Sequence, residues 1–210
     1  MSDDRDTAYE FEYSGGELCL DFVNTVSDRG TEPVERLTSY GELLRWARGA
    51  EVVDADGAER LAALAEDAPE VAEPVRRRAV ELREALFELF AVAAAGGALP
   101  ATPLEELNHV LPDTLSHLRL QPAEDGCAWV WSPGRDVEEE LSAPLWRVVR
   151  SAARLLTSGE LDRVRECDAD TCRWLFFDRS RNRSRRWCDM QQCGNRAKAR
   201  RHYRRHKGRS

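Results

Sequence analysis

Over most of the first 160 positions the apolar residues recur at the spacing of helix faces, and short alternating runs interrupt them. Leu18, Phe22, Val23 and Val26 fit a helix behind Ser14-Gly-Gly-Glu17, which has capping-box spacing. Leu18, Leu20 and Phe22 also alternate as a strand would, but helix is the preferred reading. Before it, Tyr9, Phe11 and Tyr13 alternate with glutamates and predict a short strand. Ser39, three residues before Glu42, predicts the start of a second helix that buries Leu43, Leu44, Trp46 and Ala47. Further helices are expected over 58–66 and 74–95, the longer one aligning Val75, Ala79, Leu82, Leu86, Phe87 and Phe90 before Gly96-Gly97 ends it. Its Arg76-Arg77-Arg78 run, with glutamates nearby, reads as a solvated face.

Thr102-Pro103-Leu104-Glu105 combines a cap, a first-turn proline and a capping glutamate, so a short helix should run to about 111, where Pro112 stops it. Segments 115–120 and 127–131 alternate around Asp125-Gly126 and predict a β-hairpin with Trp129 and Trp131 on one face. Asp136 lies three residues before Glu139, and Leu145, Val148, Val149, Ala152, Leu155 and Leu156 then mark an amphipathic helix, with a kink or a new start expected at Pro144. His109 and His117 show no acidic or cysteine partner at ligand spacing and read as structural.

Charge divides the chain more sharply than hydropathy does. The 210 residues carry a net charge of −7, but from Arg163 onward 16 basic residues face 5 acidic ones, leaving +11 there and −18 before it. A boundary near 162 follows, between an acidic, mainly helical part, 1–162, and a basic part, 163–210. No apolar run approaches the length of a membrane span, and MSDDRDTAYE lacks the basic and apolar regions of a signal peptide. The chain is therefore expected to be cytoplasmic, without a membrane partner. A reducing compartment favours metal over disulfide for clustered cysteines and leaves Cys19 and Cys127 as buried thiols.

The basic part holds the candidate chemistry. Cys167 and Cys172, then Cys188 and Cys193, form two CxxxxC pairs separated by fifteen residues. Four thiolates gathered by a fold-back of that segment make a tetrahedral set for one zinc ion per chain. Two disulfides or four free thiols are the plain alternative. A second ligand set, Cys188, Cys193, His202 and His206, is disfavoured because eight residues lie between Cys193 and His202, where two-Cys, two-His fingers place about twelve. Arg173–Phe177 suits a strand and Asp178–Arg186 a basic loop.

No acidic residue follows Asp189, and a final helix starting near Cys193 would be basic around most of its circumference. Such a helix repels itself unless it lies beside a polyanion, so nucleic acid, duplex DNA first, is the expected partner. Arg179, Arg181, Arg183, Arg185 and Arg186 would grip phosphates. Asn195, Arg196 and Arg200 are candidates for base edges, with Lys198, Arg201 and Arg204 on the same helix. Asn195 serves equally well as a cap for the helix turn. The fold class expected is α+β and mostly helical: a helical N-terminal part with a small hairpin, then a treble-clef-like or ribbon-like zinc finger ending in a basic helix. No enzyme is expected, since four thiolates leave no open zinc position and no phosphate loop, GxSxG or dinucleotide fingerprint is present.

Through DRSRNRSRRWCDMQQCGNRAKARRHYRRH, and above all Cys193-Gly194-Asn195-Arg196, the chain resembles the bacterial CGNR zinc finger proteins. Many of these carry an N-terminal ABATE domain whose opening is similar to Gly16-Glu-Leu-Cys-Leu-Asp-Phe-Val-Asn-Thr25 here. The resemblance implies a transcription regulator of a stress-induced family, in which Asp21, Asn24 and Thr25 are candidates for a ligand or domain contact. Their plain alternative is local capping. The leading expectation is a zinc-dependent DNA-binding regulator whose N-terminal part senses a small-molecule effector, forms a homodimer, or both. An RNA-binding protein and a zinc-stabilised interaction adaptor are the rivals.

Overall fold

A computed structural model describes residues 9–199. The helices are α1 (Leu18–Val23), α2 (Tyr40–Gly49), α3 (Ala55–Asp67), α4 (Pro69–Ala94), α5 (Ala101–Ser116) and α6 (Val137–Thr157). Three antiparallel pairs accompany them: β1 (Val26–Ser27) with β2 (Val34–Glu35), β3 (Leu118–Ala123) with β4 (Gly126–Trp131), and β5 (Val164–Glu166) with β6 (Leu175–Phe177). No helix among the described residues is long and apolar enough to cross a membrane.

Short polar side chains set the helix starts. Ser39, Asp54 and Asp136 each accept the N–H three residues on, at 3.1, 2.7 and 3.0 Å, and so open α2, α3 and α6. Pro69 lies in the first turn of α4, where its missing N–H costs nothing. The long α4 is the central post, touched by α1, α2, α3, α5 and α6. Phe22, Trp46, Leu86, Leu89, Phe90 and Val148 fill the space between them. That cluster also takes in Val164, Leu175 and Phe177, so the basic part of the chain contributes to the main core.

Several local expectations change. Tyr9, Phe11 and Tyr13 form no strand, because each ring finds its own support instead of a neighbouring chain. Tyr9 and Phe11 pack edge to face at 5.2 Å, Arg36 covers Tyr9, and the Tyr13 hydroxyl donates to the Trp46 carbonyl at 3.0 Å. Ser14 makes no cap, and Glu17 occupies the N-cap position of α1 without a side-chain bond. Pro112 does not stop α5, which runs on to Ser116. It removes the N–H that would reach the Asn108 carbonyl, and because both residues are exposed, water can replace that bond. Leu115 consequently belongs to the helix and not to the hairpin. Pro144 lies inside a continuous α6, and the Tyr40 hydroxyl supplies a 2.7 Å bond to the nearby Leu141 carbonyl. Cys19 is buried as expected, whereas Cys127 sits exposed near the hairpin tip.

Candidate metal centre and basic surface

The β5–β6 hairpin carries the first cysteine pair in its loop, and the second pair sits at the start of a helical segment. That arrangement is treble-clef-like. Two backbone bonds shape the first loop, Cys167 N–H to Trp174 O at 2.8 Å and Cys172 N–H to Ala169 O at 2.9 Å. A third, Asp168 N–H to Arg186 O at 2.9 Å, draws the approach to Cys188 alongside. The helical segment opens with a π-helical turn, Met190–Gly194, three residues earlier than expected, and continues over 195–199. Its cap is Asp189, which accepts the Gln192 N–H at 2.7 Å, and not Asn195.

All four sulfurs are buried and lie within 4.8 Å of one another. The Cys172–Cys188 and Cys188–Cys193 separations are 3.6 and 3.7 Å. Zinc–sulfur bonds of about 2.3 Å in a tetrahedron put sulfurs about 3.8 Å apart, so the spacing fits one ion, and it is far beyond a disulfide bond. Hydrogen bonds to the Cys167 sulfur push the Cys172 and Cys188 thiols up and Cys167 down. Four sulfurs this close can all be thiolates only beside a cation. Backbone N–H groups of Cys188 and Trp174 face the sulfurs of Cys167 and Cys172, and Arg196 donates to Cys193 Sγ at 3.4 Å. These donors suit thiolates. The centre is thus built for one zinc ion from Cys167, Cys172, Cys188 and Cys193.

The finger is bound to the helical part by buried polar contacts. Asn24 donates to the Leu175 carbonyl at 2.8 Å and accepts the Leu175 N–H at 2.9 Å, acting as a short strand partner for β6. The Trp174 indole donates to Val26 O at 2.7 Å, and Phe177 N–H to Gly15 O at 2.7 Å. Gly30 N–H reaches Thr171 O at 3.1 Å, and a Cβ on Gly30 would sit 2.2 Å from the Asp170 carbonyl oxygen, so only glycine fits there.

Asp21 and Thr25 lie on the same seam. Asp21 accepts the Gly15 N–H at 2.7 Å and thereby orients the segment that bonds Phe177. Burial, with the Glu17 charge adding to it, pushes the Asp21 carboxyl up to about 6 against the opposing Gly15 bond. Thr25 donates to Phe22 O at 2.7 Å and lies 3.4 Å from buried Arg83. Arg83 in turn holds Glu35 through two 2.6 Å bonds.

The candidate contact residues among those described fall into three groups. Arg185 is a strut: it donates to the Trp187, Cys188 and Ser14 carbonyls and covers Phe176. Arg179, Arg183 and Arg186 are exposed but paired with Glu17, Asp162 and Asp168. Arg181, Asn195, Arg196 and Lys198 are exposed. Arg200, Arg201 and Arg204, with His202 and His206 of the second ligand set, lie outside the described residues. The loop itself is organised by Asp178, fully buried, whose carboxylate accepts the N–H groups of Ser180 at 2.8 Å and Arg185 at 2.9 Å. Burial pushes that carboxyl up, but these bonds win and hold it below the usual range.

His117, read as lacking a partner, does face carboxylates. Its Nε2 lies 3.6 Å from Glu139 and 4.0 Å from Asp113, and its ring stacks on Trp146 at 3.9 Å. Asp113 sits four residues earlier, in the last turn of α5, a signal visible in the sequence, whereas Glu139 arrives only through the packing of α6. Arg135 already pairs with both carboxylates.

Among known proteins, no curated protein matches the chain. Two family models do match, in sequence order. The CGNR zinc finger covers residues 163–206, and ABATE, described as a "putative stress-induced transcription regulator", covers 16–159, well over half of the chain. Neither family is of an enzymatic type. The chain belongs to the ABATE family and carries a CGNR zinc finger behind its ABATE domain.

Proposed function

We propose that the protein is a zinc-dependent DNA-binding transcription regulator of the cytoplasm. In this reading residues 163–210 contact duplex DNA, while residues 1–162 receive a signal, pair two copies, or both. The supporting observation is the net charge of +11 from Arg163 onward, mounted on a finger whose four cysteines suit one zinc ion. Zinc binding would fix the loop and the start of the basic helix relative to each other, a rigid template for the phosphate backbone.

The loop arginines differ in what they can give. Exposed ion pairs are worth about 0–1 kcal/mol, so Arg179, Arg183 and Arg186 can exchange Glu17, Asp162 and Asp168 for phosphates. Arg181 has no such pair to break among the described residues. Arg185 acts as scaffold, holding the loop by its three carbonyl bonds. Asn195 and Arg196, just past the opening turn of the helical segment, would take base edges, with Lys198 nearby. Arg200, Arg201 and Arg204 extend the basic run in the sequence.

The test is to purify the intact protein from expressing cells and sequence the nucleic acid that comes with it. Enriched duplex DNA sites support the reading. Enrichment of RNA, or no nucleic acid at all, would favour an RNA-binding protein or an interaction adaptor instead.

A further inference from the structure

One groove on the helical part runs against that part's net charge. It lies between β4 and α6, is an open groove of about 610 Å³, and is walled by Trp129 and Trp131 on one side and Arg147, Arg150 and Arg154 on the other. No carboxylate lines it, although the first 162 residues carry −18. Trp129 is 54% exposed, a large apolar surface left open to water. Trp131 is fixed against Trp146, which is itself stacked on His117, so that wall is rigid. Arg150 is half-buried, sits 5.7 Å from the centre of the Trp129 ring, and has no carboxylate partner among the described residues.

We infer that this groove binds a small planar organic anion, such as an aromatic carboxylate. The flat body stacks on the tryptophans, where ring faces bury area at little entropic cost. The carboxylate takes the guanidinium fork of Arg150, whose planar geometry matches it bidentately. The volume is that of a ligand site for a molecule of drug-like size. A small anion interacts only within about 8–10 Å, so it senses the groove's arginines and not the −18 net charge of the first 162 residues.

The inference deepens the proposed signal-receiving role and rests on it for its biological meaning. The groove touches the basic loop through one chain of contacts: Arg154 pairs with Glu17, and Glu17 also pairs with Arg179. Arg154 also lines the groove, so an anion held by Arg150 that draws Arg154 toward it leaves Glu17 to Arg179 alone, which makes Arg179 slower to exchange Glu17 for phosphate and lowers DNA affinity.

The experiment is calorimetric titration of the zinc-loaded full chain with 2-naphthoate, and with neutral 2-naphthamide as control. The expected result is saturable binding of the acid, weakened about tenfold or more in both Arg150→Gln and Trp129→Ala, with the amide binding poorly. Zinc content and thermal unfolding establish that each variant is folded. Absence of saturable binding, equal binding by the amide, or wild-type affinity in both folded variants would overturn the proposal. DNA affinity measured with and without saturating 2-naphthoate is a separate readout. If the acid binds as expected and DNA affinity stays constant, the groove stands and the signal-receiving reading fails.

Discussion

Asn24 shows how much one side chain can do when it replaces a strand. Its amide supplies both a donor and an acceptor to Leu175, deep in the seam between finger and helices. Truncation leaves two buried backbone groups unpaired, so Asn24→Ala should destabilise the fold by about 2–6 kcal/mol in denaturant unfolding, at one to three per group. A loss no larger than that of an exposed substitution would contradict the role. Asp21 makes a pH prediction. Its folded pKa is raised, so the stability it contributes is full below about pH 4 and is lost as pH rises to about 6. At about 1.4 kcal/mol per unit, that loss amounts to about 3 kcal/mol. Asp21→Asn should abolish this part of the decline between those pH values. An unchanged pH profile would show that the carboxyl titrates normally. The sequence marked Asn24 and Asp21 only through their position in a motif, because what each touches lies 151 and 6 residues away, and only the closer partner is foreseeable from local spacing.

At the scale of elements, caps and periodicity were readable wherever a helix is decided locally. Ser39 and Asp136 cap their helices as their spacing predicts, and the stripe of α4 needs only its own spacing, whereas the Asp54 cap was not foreseen and α3 and α4 begin at Ala55 and Pro69, earlier than the expected 58 and 74. The prolines were misread for the opposite reason. Whether Pro112 ends a helix depends on who serves the Asn108 carbonyl it orphans, and at that exposed position water can; Pro144 likewise sits inside α6 without ending it. The cysteine spacing foretold the zinc centre, while its attachment to the core did not show, since β6 looks like any short apolar run. That attachment changes what loss of metal should do. From the sequence alone Cys188→Ser should unfold the tail and spare the helices. With Leu175 and Phe177 in the main core, it should release zinc and lower global stability by more than about 3 kcal/mol, as loss of a structural metal does. Denaturant unfolding followed by far-ultraviolet circular dichroism checks this, and an unchanged midpoint for the helical transition would mean that the finger is an independent appendage.

For the whole molecule, the opposite charges of its two parts are tied together in the folded chain. Glu17 and Asp162 already hold Arg179 and Arg183, so the acidic part occupies some of the cationic surface in the same protein. The proposed DNA binding would therefore exchange intramolecular pairs for phosphates and depend on zinc to keep the remaining cations in place. The most direct measurement is affinity for a duplex of mixed sequence between about 50 and 200 mM salt, with the zinc-loaded protein and with protein stripped by a chelator. The account predicts a steep log–log decline, about 0.9 per phosphate contacted over several phosphates, and loss of most of the affinity on stripping. Binding that is absent at the lowest salt, insensitive to salt, or equally strong without zinc would contradict it.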